Sequence, residues 1–244
     1  MATGGVRLDA LEAIVLAGGA GSRFGGAKLT APWRGGALID GALSAAFAAP
    51  VRTVTVVTGA SERVADTASA FADRAGERSR LNLVHCPEYA EGMSRTLRAG
   101  ISALPSDASG AFVFLGDMPL IPPAILPALA AKLQGGAIAA APFYKGQRGH
   151  PALFSRDAFP ALLALRGDQG AREVLQSLGA KLGLVATLEA GVVMDIDTRG
   201  DLEQLEGPEA DQPTPAGFRV VTAIVGLLEL FGIVTPTVGR RRRR

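Results

Sequence analysis

Between about residue 10 and residue 205, short β-branched runs alternate with longer stretches rich in alanine and leucine. The runs have the length of buried strands and the stretches have the length and composition of helices. Strands are predicted at residues 13–17, 53–58, 82–85, 111–115, 137–140, 184–187 and 192–196. Helices are predicted at residues 37–48, 62–74, 93–103, 123–133, 171–178 and 199–205. This order predicts an α/β fold, a Rossmann-like and mostly parallel sheet with helices on both faces.

The alternation stops near Leu205, so we expect one main domain over residues 1–205. Residues 206–217 are rich in proline and acid and are predicted to be a linker. Residues 218–244 hold an apolar run at 220–234, interrupted by Glu229, and then a run of five arginines. The apolar run is shorter than the roughly 20 residues that span a bilayer. It could be a helix packed on the body or a partner, a membrane anchor, or a disordered or added tail, and its role stays unassigned.

Composition excludes several classes of protein. With 48% apolar and 20% charged residues the chain is not intrinsically disordered, and one cysteine excludes a disulfide scaffold or a multi-thiolate metal site. Without the five terminal arginines, 20 basic residues face 23 acidic ones, which argues against nucleic-acid binding by the body. The first 13 residues lack the apolar core of a signal peptide. A cytoplasmic, soluble protein is expected.

A glycine-rich loop follows the first predicted strand, with the sequence GGAGSRFGGAK over residues 18–28. Glycines let backbone amides approach a phosphate, and Arg23 and Lys28 add positive charge. The loop does not match the Walker pattern, because Ala27 and Leu29 flank the lysine, and it misses the dinucleotide pattern at Phe24. A simple glycine-rich turn is the alternative. Position, charge and length favour a triphosphate site.

Carboxylates follow two other predicted strands. Asp117 comes after the strand at 111–115 with Gly116 beside it, and Mg²⁺ on a triphosphate needs only one or two protein carboxylates. Strand alternation would place Asp195 and Asp197 on the same side, a costly pair unless a cation or solvent reaches both. The alternatives are a turn role for Asp117 and a helix cap formed by Asp197 or Thr198.

The glycine-rich loop resembles the signature L-A-G/A-G-x-x-x-R-x-G-x-x-K of pyrophosphorylase-type nucleotidyltransferases. The resemblance implies that Arg23 and Lys28 hold the phosphates, that Lys28 stabilises charge at the reacting phosphorus, and that Asp117 joins them as a catalytic residue. It implies Mg²⁺ held by Asp117 with Asp195 or Asp197, since the segments around them are similar to the family's metal motifs. Arg199 replaces the usual proline there. The implied nucleotide-binding residues of the loop are Leu16, Ala17, Gly18, Gly19, Gly21, Arg23, Gly25 and Lys28.

Three later elements, at 91–100, 148–154 and 165–172, are similar to the molybdenum cofactor cytidylyltransferase family. The first implies nucleotide contacts for Gly92, Met93 and Thr96, the last standing where the family has serine. The other two imply acceptor-side contacts, made by His150, Asp168 and Arg172. A structural loop role for His150 and an exposed ion pair between Asp168 and Arg172 are the alternatives.

The resemblance implies a nucleotidyltransferase domain at 1–205 that moves CMP from CTP to molybdopterin cofactor, with Mg²⁺ as cofactor and release of pyrophosphate. A molybdenum hydroxylase or its maturation factor is the implied protein partner. Gly18 departs from the cytidylyl pattern and is common in the guanylyl branch, which leaves CTP or GTP open. The alternatives are guanylyl transfer to the same acceptor, nucleotidyl transfer to a sugar phosphate or another phosphorylated small molecule, and a non-catalytic cofactor-binding module.

Overall fold

The β-branched runs form the interior of an eight-stranded sheet in the computed structural model, which describes residues 6–168 and 170–206. The predicted linker at 206–217 lies almost wholly outside the described residues, and the segment at 218–244 wholly so. The strands are β1 (Leu11–Ala17), β2 (Pro32–Trp33), β3 (Gly36–Ala37), β4 (Val54–Thr58), β5 (Leu81–His85), β6 (Gly110–Leu115), β7 (Ala139–Tyr144), β8 (Gln147–Arg148), β9 (Ala152–Ser155) and β10 (Leu182–Ala186). The α-helices are α1 (Ile39–Ala48), α2 (Arg63–Ala75), α3 (Met93–Ser102), α4 (Ile125–Gln134), α5 (Phe159–Ala164), α6 (Ala171–Ser177) and α7 (Arg199–Glu206).

The main sheet has the order β10-β7-β9-β6-β1-β4-β5, and β8 pairs with β7. β1 pairs in parallel with β4 and β6, and the pairs of β4 with β5 and β7 with β10 are parallel too. β2 and β3 form a separate antiparallel hairpin. Because the chain leaves β1 toward β4 and returns to β6 on its other side, the strand order reverses at β1. Ligands bind at such a point, beyond the carboxyl ends of the strands.

Alternation along the strands separates two cores, which confirms the prediction of helices on both faces. Ala13 and Val15 of β1 join the core built with α1, α2 and α4. Ile14 joins the core built with α3, α5 and α6. A third, smaller cluster packs residues 24–38 against residues 196–202. It comprises Phe24, Ala31, Trp33, Leu38, Ile196 and Leu202.

The region after β7 differs from the prediction. No strand was predicted between residues 140 and 184, but the 148–154 element carries β9, which pairs antiparallel with both β6 and β7. The short apolar run of β9 is fully buried. The predicted strand at 192–196 is wrong, since residues Ala190–Val193 form a 3₁₀ turn. The Gly191 backbone lies against the Leu120 carbonyl and Val192 accepts a hydrogen bond from the His150 amide, so this segment packs on loops.

A buried charge lies at the opposite, amino edge of the sheet. Glu12 of β1 is fully buried and accepts hydrogen bonds from Arg52 and from the amide and hydroxyl of Thr53. Arg52 also binds Asp107 through both of its terminal nitrogens. Because every partner is satisfied, this network fixes the strand ends far from the glycine-rich loop. No α-helix within residues 6–168 and 170–206 is long and apolar enough to cross a membrane.

Candidate active site at the carboxyl edge of the sheet

The glycine-rich loop leaves β1 through a series of left-handed residues. Gly21, Gly25 and Gly26 have φ values of 60°, 88° and 90°, and Ala27 has 52°. These angles suit glycine and strain most other residues, which explains the loop's composition. Phe24 is the buried side chain among residues 19–28, so the loop is pinned at one point and exposed around it.

The two cations of the loop meet the carboxylates directly. Lys28 Nζ lies 2.7 Å from Asp117 Oδ2 and 3.4 Å from Asp197 Oδ1, and the lysine side chain is only 12% exposed. Arg23 Nη1 lies 2.7 Å from Asp197 Oδ2, with the arginine side chain 78% exposed. Arg23 and Lys28, predicted for the phosphates, therefore form one cluster of alternating charge with Asp117 and Asp197, two of the three residues predicted for the metal.

Backbone contacts hold the acidic segments at this edge. Gly116 donates its amide to the Leu16 carbonyl, which extends the β1–β6 pairing to the residue before Asp117. The Ile196 amide donates to the Asp117 carbonyl over 3.0 Å. The segment around Asp197 is thus held against the turn after β6, although it is not a strand as predicted.

Thr198 forms the helix cap that was the alternative role for this segment. The Asp201 carboxylate accepts hydrogen bonds from the amides of Thr198 and Asp197, while Thr198 Oγ1 accepts from the Asp201 amide. Hydrogen bonds from Thr198, chiefly its backbone amide, hold the pKa of Asp201 below its usual value. This reciprocal cap at the start of α7 leaves the Asp197 carboxylate turned toward the cations.

Asp195 takes no part in the ion-pair cluster. It is exposed and forms no ion pair among the described residues, and the described part of the chain holds no group of three or more His, Cys, Asp or Glu side chains arranged for a metal ion. Asp117 and Asp197, which both lie within 3.4 Å of one cationic nitrogen, are the carboxylates placed together where they could hold a metal ion. The predicted metal role of Asp195 stays a prediction. Two carboxylates, completed by phosphate oxygens and water, suit Mg²⁺ or Mn²⁺.

His150 lies near enough to Asp117 and Asp195 for their charges to act on its imidazole. Its Nδ1 is buried and finds no hydrogen-bond partner among the described residues. Burial lowers the pKa of the imidazole below its usual value, against the opposing effects of the Val113 carbonyl, Asp117 and Asp195. A neutral ring can accept or donate a hydrogen bond without adding charge to the site. Its predicted contact with the acceptor stays a prediction.

The structure brings the predicted nucleotide element and part of the predicted acceptor element together. Gly92 has φ of 118°, and a Cβ there would lie 2.3 Å from the Gly167 carbonyl oxygen. The Ser94 amide donates to that carbonyl, and a Cβ on Gly170 would lie 3.2 Å from Met93 Sδ. The start of α3 therefore packs on the 165–172 loop.

Asp168 and Arg172 are both exposed and do not form the ion pair that was the alternative for them. Asp168 lies in the loop before α6, whereas Arg172 lies within the helix, so the helical spacing that the pair requires does not exist. The predicted contacts of Asp168 and Arg172 with the acceptor stay predictions.

Thr96 of α3 and Gly18 after β1 share one small space. Thr96 donates its hydroxyl to the Met93 carbonyl over 2.9 Å. A Cβ on Gly18 would lie 2.5 Å from Thr96 Cγ2, well inside normal contact. The threonine methyl thus occupies the position that an alanine methyl at residue 18 would take.

One contact at this site was missed from the sequence. The Arg199 guanidinium lies over the Phe24 ring, with Cζ 5.0 Å from the centroid. The departure of Arg199 from the family's proline was visible, but its partner is 175 positions earlier in the chain. Only the packing of α7 on the glycine-rich loop reveals the pair.

Comparisons with known proteins bear on this arrangement of charge. Residues 13–182 match the sequence pattern of the MobA-like NTP transferase domain. The chain is 27% identical to the molybdenum cofactor cytidylyltransferase of Escherichia coli K12, over 80% of this chain and 94% of that protein. It is 28% identical to the purine catabolism protein PucB of Bacillus subtilis 168, over 84% of this chain and 95% of that protein.

Solved structures agree with the fold. The crystal structure of Rv0371c from Mycobacterium tuberculosis H37Rv has a TM-score of 0.66 and 26% identity, covering 82% of this chain and 98% of that one. A second structure of Rv0371c, described as a complex with manganese, has a TM-score of 0.61 and 25% identity, covering 80% and 97% of the two chains. A structural relative of this chain has therefore been solved with manganese.

Proposed function

This chain belongs to the MobA-like NTP transferase family, and on that premise we propose that it transfers CMP from CTP to the terminal phosphate of molybdopterin cofactor. The reaction releases pyrophosphate and depends on Mg²⁺. The observation that carries the proposal is the position of Lys28 Nζ between Asp117 and Asp197, at the mouth of the glycine-rich loop. A non-catalytic module would have no use for a lysine and two carboxylates gathered at this edge.

The reaction joins two anions. An oxygen of the acceptor's terminal phosphate attacks the α-phosphorus of the triphosphate, the bond from that phosphorus to the bridging oxygen breaks, and pyrophosphate leaves with the electron pair. A phosphate monoester has a second pKa near 6, so the attacking oxygen needs no strong general base. Charge neutralisation and positioning supply most of the rate.

In this proposal Lys28 and Arg23 change their binding partners when the nucleotide binds. They now pair with Asp117 and Asp197, and on binding they turn to the phosphates. The two carboxylates released in this way would hold the divalent metal, which supplies positive charge to the phosphate oxygens when bound. Lys28, which is mostly buried, is placed to stabilise charge at the α-phosphorus, while the exposed Arg23 is placed to follow the outer phosphates.

The contact between Gly18 and Thr96 supports CTP over GTP. Alanine at residue 18 with serine at residue 96 is the pattern of the cytidylyl branch, and here the methyl group is carried by Thr96 instead of residue 18. The space beside β1 is thus filled to a similar extent. With the base beside residue 18, as the resemblance implies, the threonine methyl would limit the room that the glycine leaves for a purine.

The proposal has consequences for location and partners. We place the reaction in the cytoplasm and infer that the product passes to a molybdenum hydroxylase or its maturation factor. His150, Asp168 and Arg172 lie on the acceptor side in this proposal, behind and beside the start of α3.

The decisive experiment incubates the protein with each nucleoside triphosphate, Mg²⁺ and reduced molybdopterin cofactor, and measures pyrophosphate. We expect release with CTP well above release with GTP, and no release from Lys28→Ala. The control is a phosphorylated sugar as acceptor. A preference for GTP would replace cytidylyl by guanylyl transfer, and release with the sugar phosphate alone would replace the acceptor.

A further inference from the structure

Arg199 is the first residue of α7, and its side chain contacts the glycine-rich loop. Its guanidinium lies over the Phe24 ring at 5.0 Å, within the range of a cation–π contact. The family's pattern has proline at this position, so the contact is a feature of this chain's own sequence.

The helix itself gains nothing from an arginine there. A positive charge in the first turn opposes the helix dipole, and proline is favoured at the first helical position. Thr198 and Asp201 already cap the helix by reciprocal hydrogen bonds. The reason for Arg199 must therefore lie in what its side chain contacts.

Phe24 is the anchor of the loop. It is 3% exposed and belongs to the small core that includes Ile196 and Leu202. Arg23, the residue before it, pairs with Asp197 at 2.7 Å. Glycines in the left-handed region stand on both sides, so Phe24 packing decides where the loop's amides and cations lie.

We propose that Arg199 is a positioning residue for the phosphates of the nucleotide. By holding the Phe24 ring from the solvent side, it keeps the glycine-rich loop closed on the segment that carries Asp197, with Arg23 and Lys28 directed into the site. The inference rests on the proposed function, because it takes the loop to be the triphosphate site. It adds a contact by which this chain tightens triphosphate binding.

The test uses inorganic tripolyphosphate with Mn²⁺ as the probe, titrated by calorimetry, because this ligand has neither base nor acceptor. Arg199→Pro should weaken binding about 2- to 5-fold, the size expected for a partly exposed cation–π contact. Arg199→Lys keeps a cation over the ring and should stay within about twofold of the original chain. The melting temperature of Arg199→Pro should not fall, since proline suits the position.

Phe24→Leu tests whether the effect passes through the ring. In that background Arg199→Pro should have no further effect on tripolyphosphate binding, whereas independent, additive losses would overturn the proposal. The matched control is Arg34→Gln, which removes a similar contact over Trp33, at 4.7 Å, in the β2–β3 hairpin. We expect no change in binding from this control.

The outcomes separate the two proposals. If the unaltered protein binds the probe and Arg199→Pro binds it equally well, the role of Arg199 is refuted and the proposed function stands. If Arg199→Pro melts at a lower temperature and Arg199→Lys fails to rescue binding, Arg199 is only structural. If the unaltered protein does not bind the probe at all, the triphosphate site and this inference fall together.

Discussion

In the proposed function a divalent cation takes the place that Lys28 Nζ now holds between Asp117 and Asp197, so removing the lysine charge should have opposite effects on metal binding and on catalysis. Lys28→Met keeps most of the side-chain stem but leaves Asp117 and Asp197 without the ammonium that now lies 2.7 Å and 3.4 Å away. Two carboxylates left facing each other repel, and a divalent cation relieves this. The variant should therefore bind Mn²⁺ more tightly in the absence of nucleotide.

The size of the effect follows from burial. An exposed ion pair stabilises a protein by about 0.2–1 kcal/mol, and breaking a buried one costs about 3–5 kcal/mol. Lys28 is 12% exposed, while its partners are 25% and 41% exposed. We therefore take about 1–2 kcal/mol as the free energy of the lysine's ion pairs, which a bound metal ion must break. This difference corresponds to about 5- to 30-fold tighter binding of Mn²⁺.

The assay is a Mn²⁺ titration followed by electron paramagnetic resonance, beside a pyrophosphate-release assay on the same samples. We expect kcat/KM to fall about 10²- to 10³-fold, the usual loss on removing one electrostatic stabiliser of a transition state. Lys132→Met, which alters an exposed lysine in the last turn of α4, is the control and should change neither quantity. Unchanged or weaker Mn²⁺ binding by Lys28→Met would show that Asp117 and Asp197 do not form the cation site.

Three further predictions concern the same edge of the sheet. Asp117→Asn should abolish metal-dependent turnover while Asp195→Asn, at an exposed and unpaired carboxylate, should lower it less than tenfold; equal losses would make Asp195 a ligand. Gly18→Ala should lower the melting temperature because its Cβ would lie 2.5 Å from Thr96 Cγ2, and adding Thr96→Ser should restore it; two additive losses would refute the shared space. The pKa of Asp201 is lowered on folding, so its stabilising effect is present above the unfolded pKa and is lost as pH falls through the folded one. Unfolding of Asp201→Asn and the original chain should therefore differ at neutral pH and converge in acid, and a difference that persists in acid would contradict the ionic reason.

The local sequence pattern was enough to predict the strands in the parallel half of the sheet. β1, β4, β5 and β6 lie where short β-branched runs predicted strands. β1, β4 and β6 are buried on both faces, which favours such runs, whereas β5 is an edge strand with largely exposed side chains. The antiparallel β9 was missed, since its four residues follow a loop motif and carry no distinct periodicity. The segment at 192–196 has strand composition, but contacts with Leu120 and His150 override that preference.

The sequence by itself determined the inventory of the site. The glycines, Arg23, Lys28, Asp117 and Asp197 were all recognisable, because loops that approach phosphates need residues without side chains and cations at short spacing. The tertiary structure decided which of them meet. Lys28 and Asp197 are 169 residues apart, and only the packing of α7 and its cap on the glycine-rich loop brings them within 3.4 Å. Asp195, two residues away from Asp197 and chemically identical, is left outside that cluster, because residues 194–197 do not form a strand and no alternation places the two carboxylates together. Charge interactions depend on distances of a few ångströms, and such distances between remote segments exist only in the folded chain.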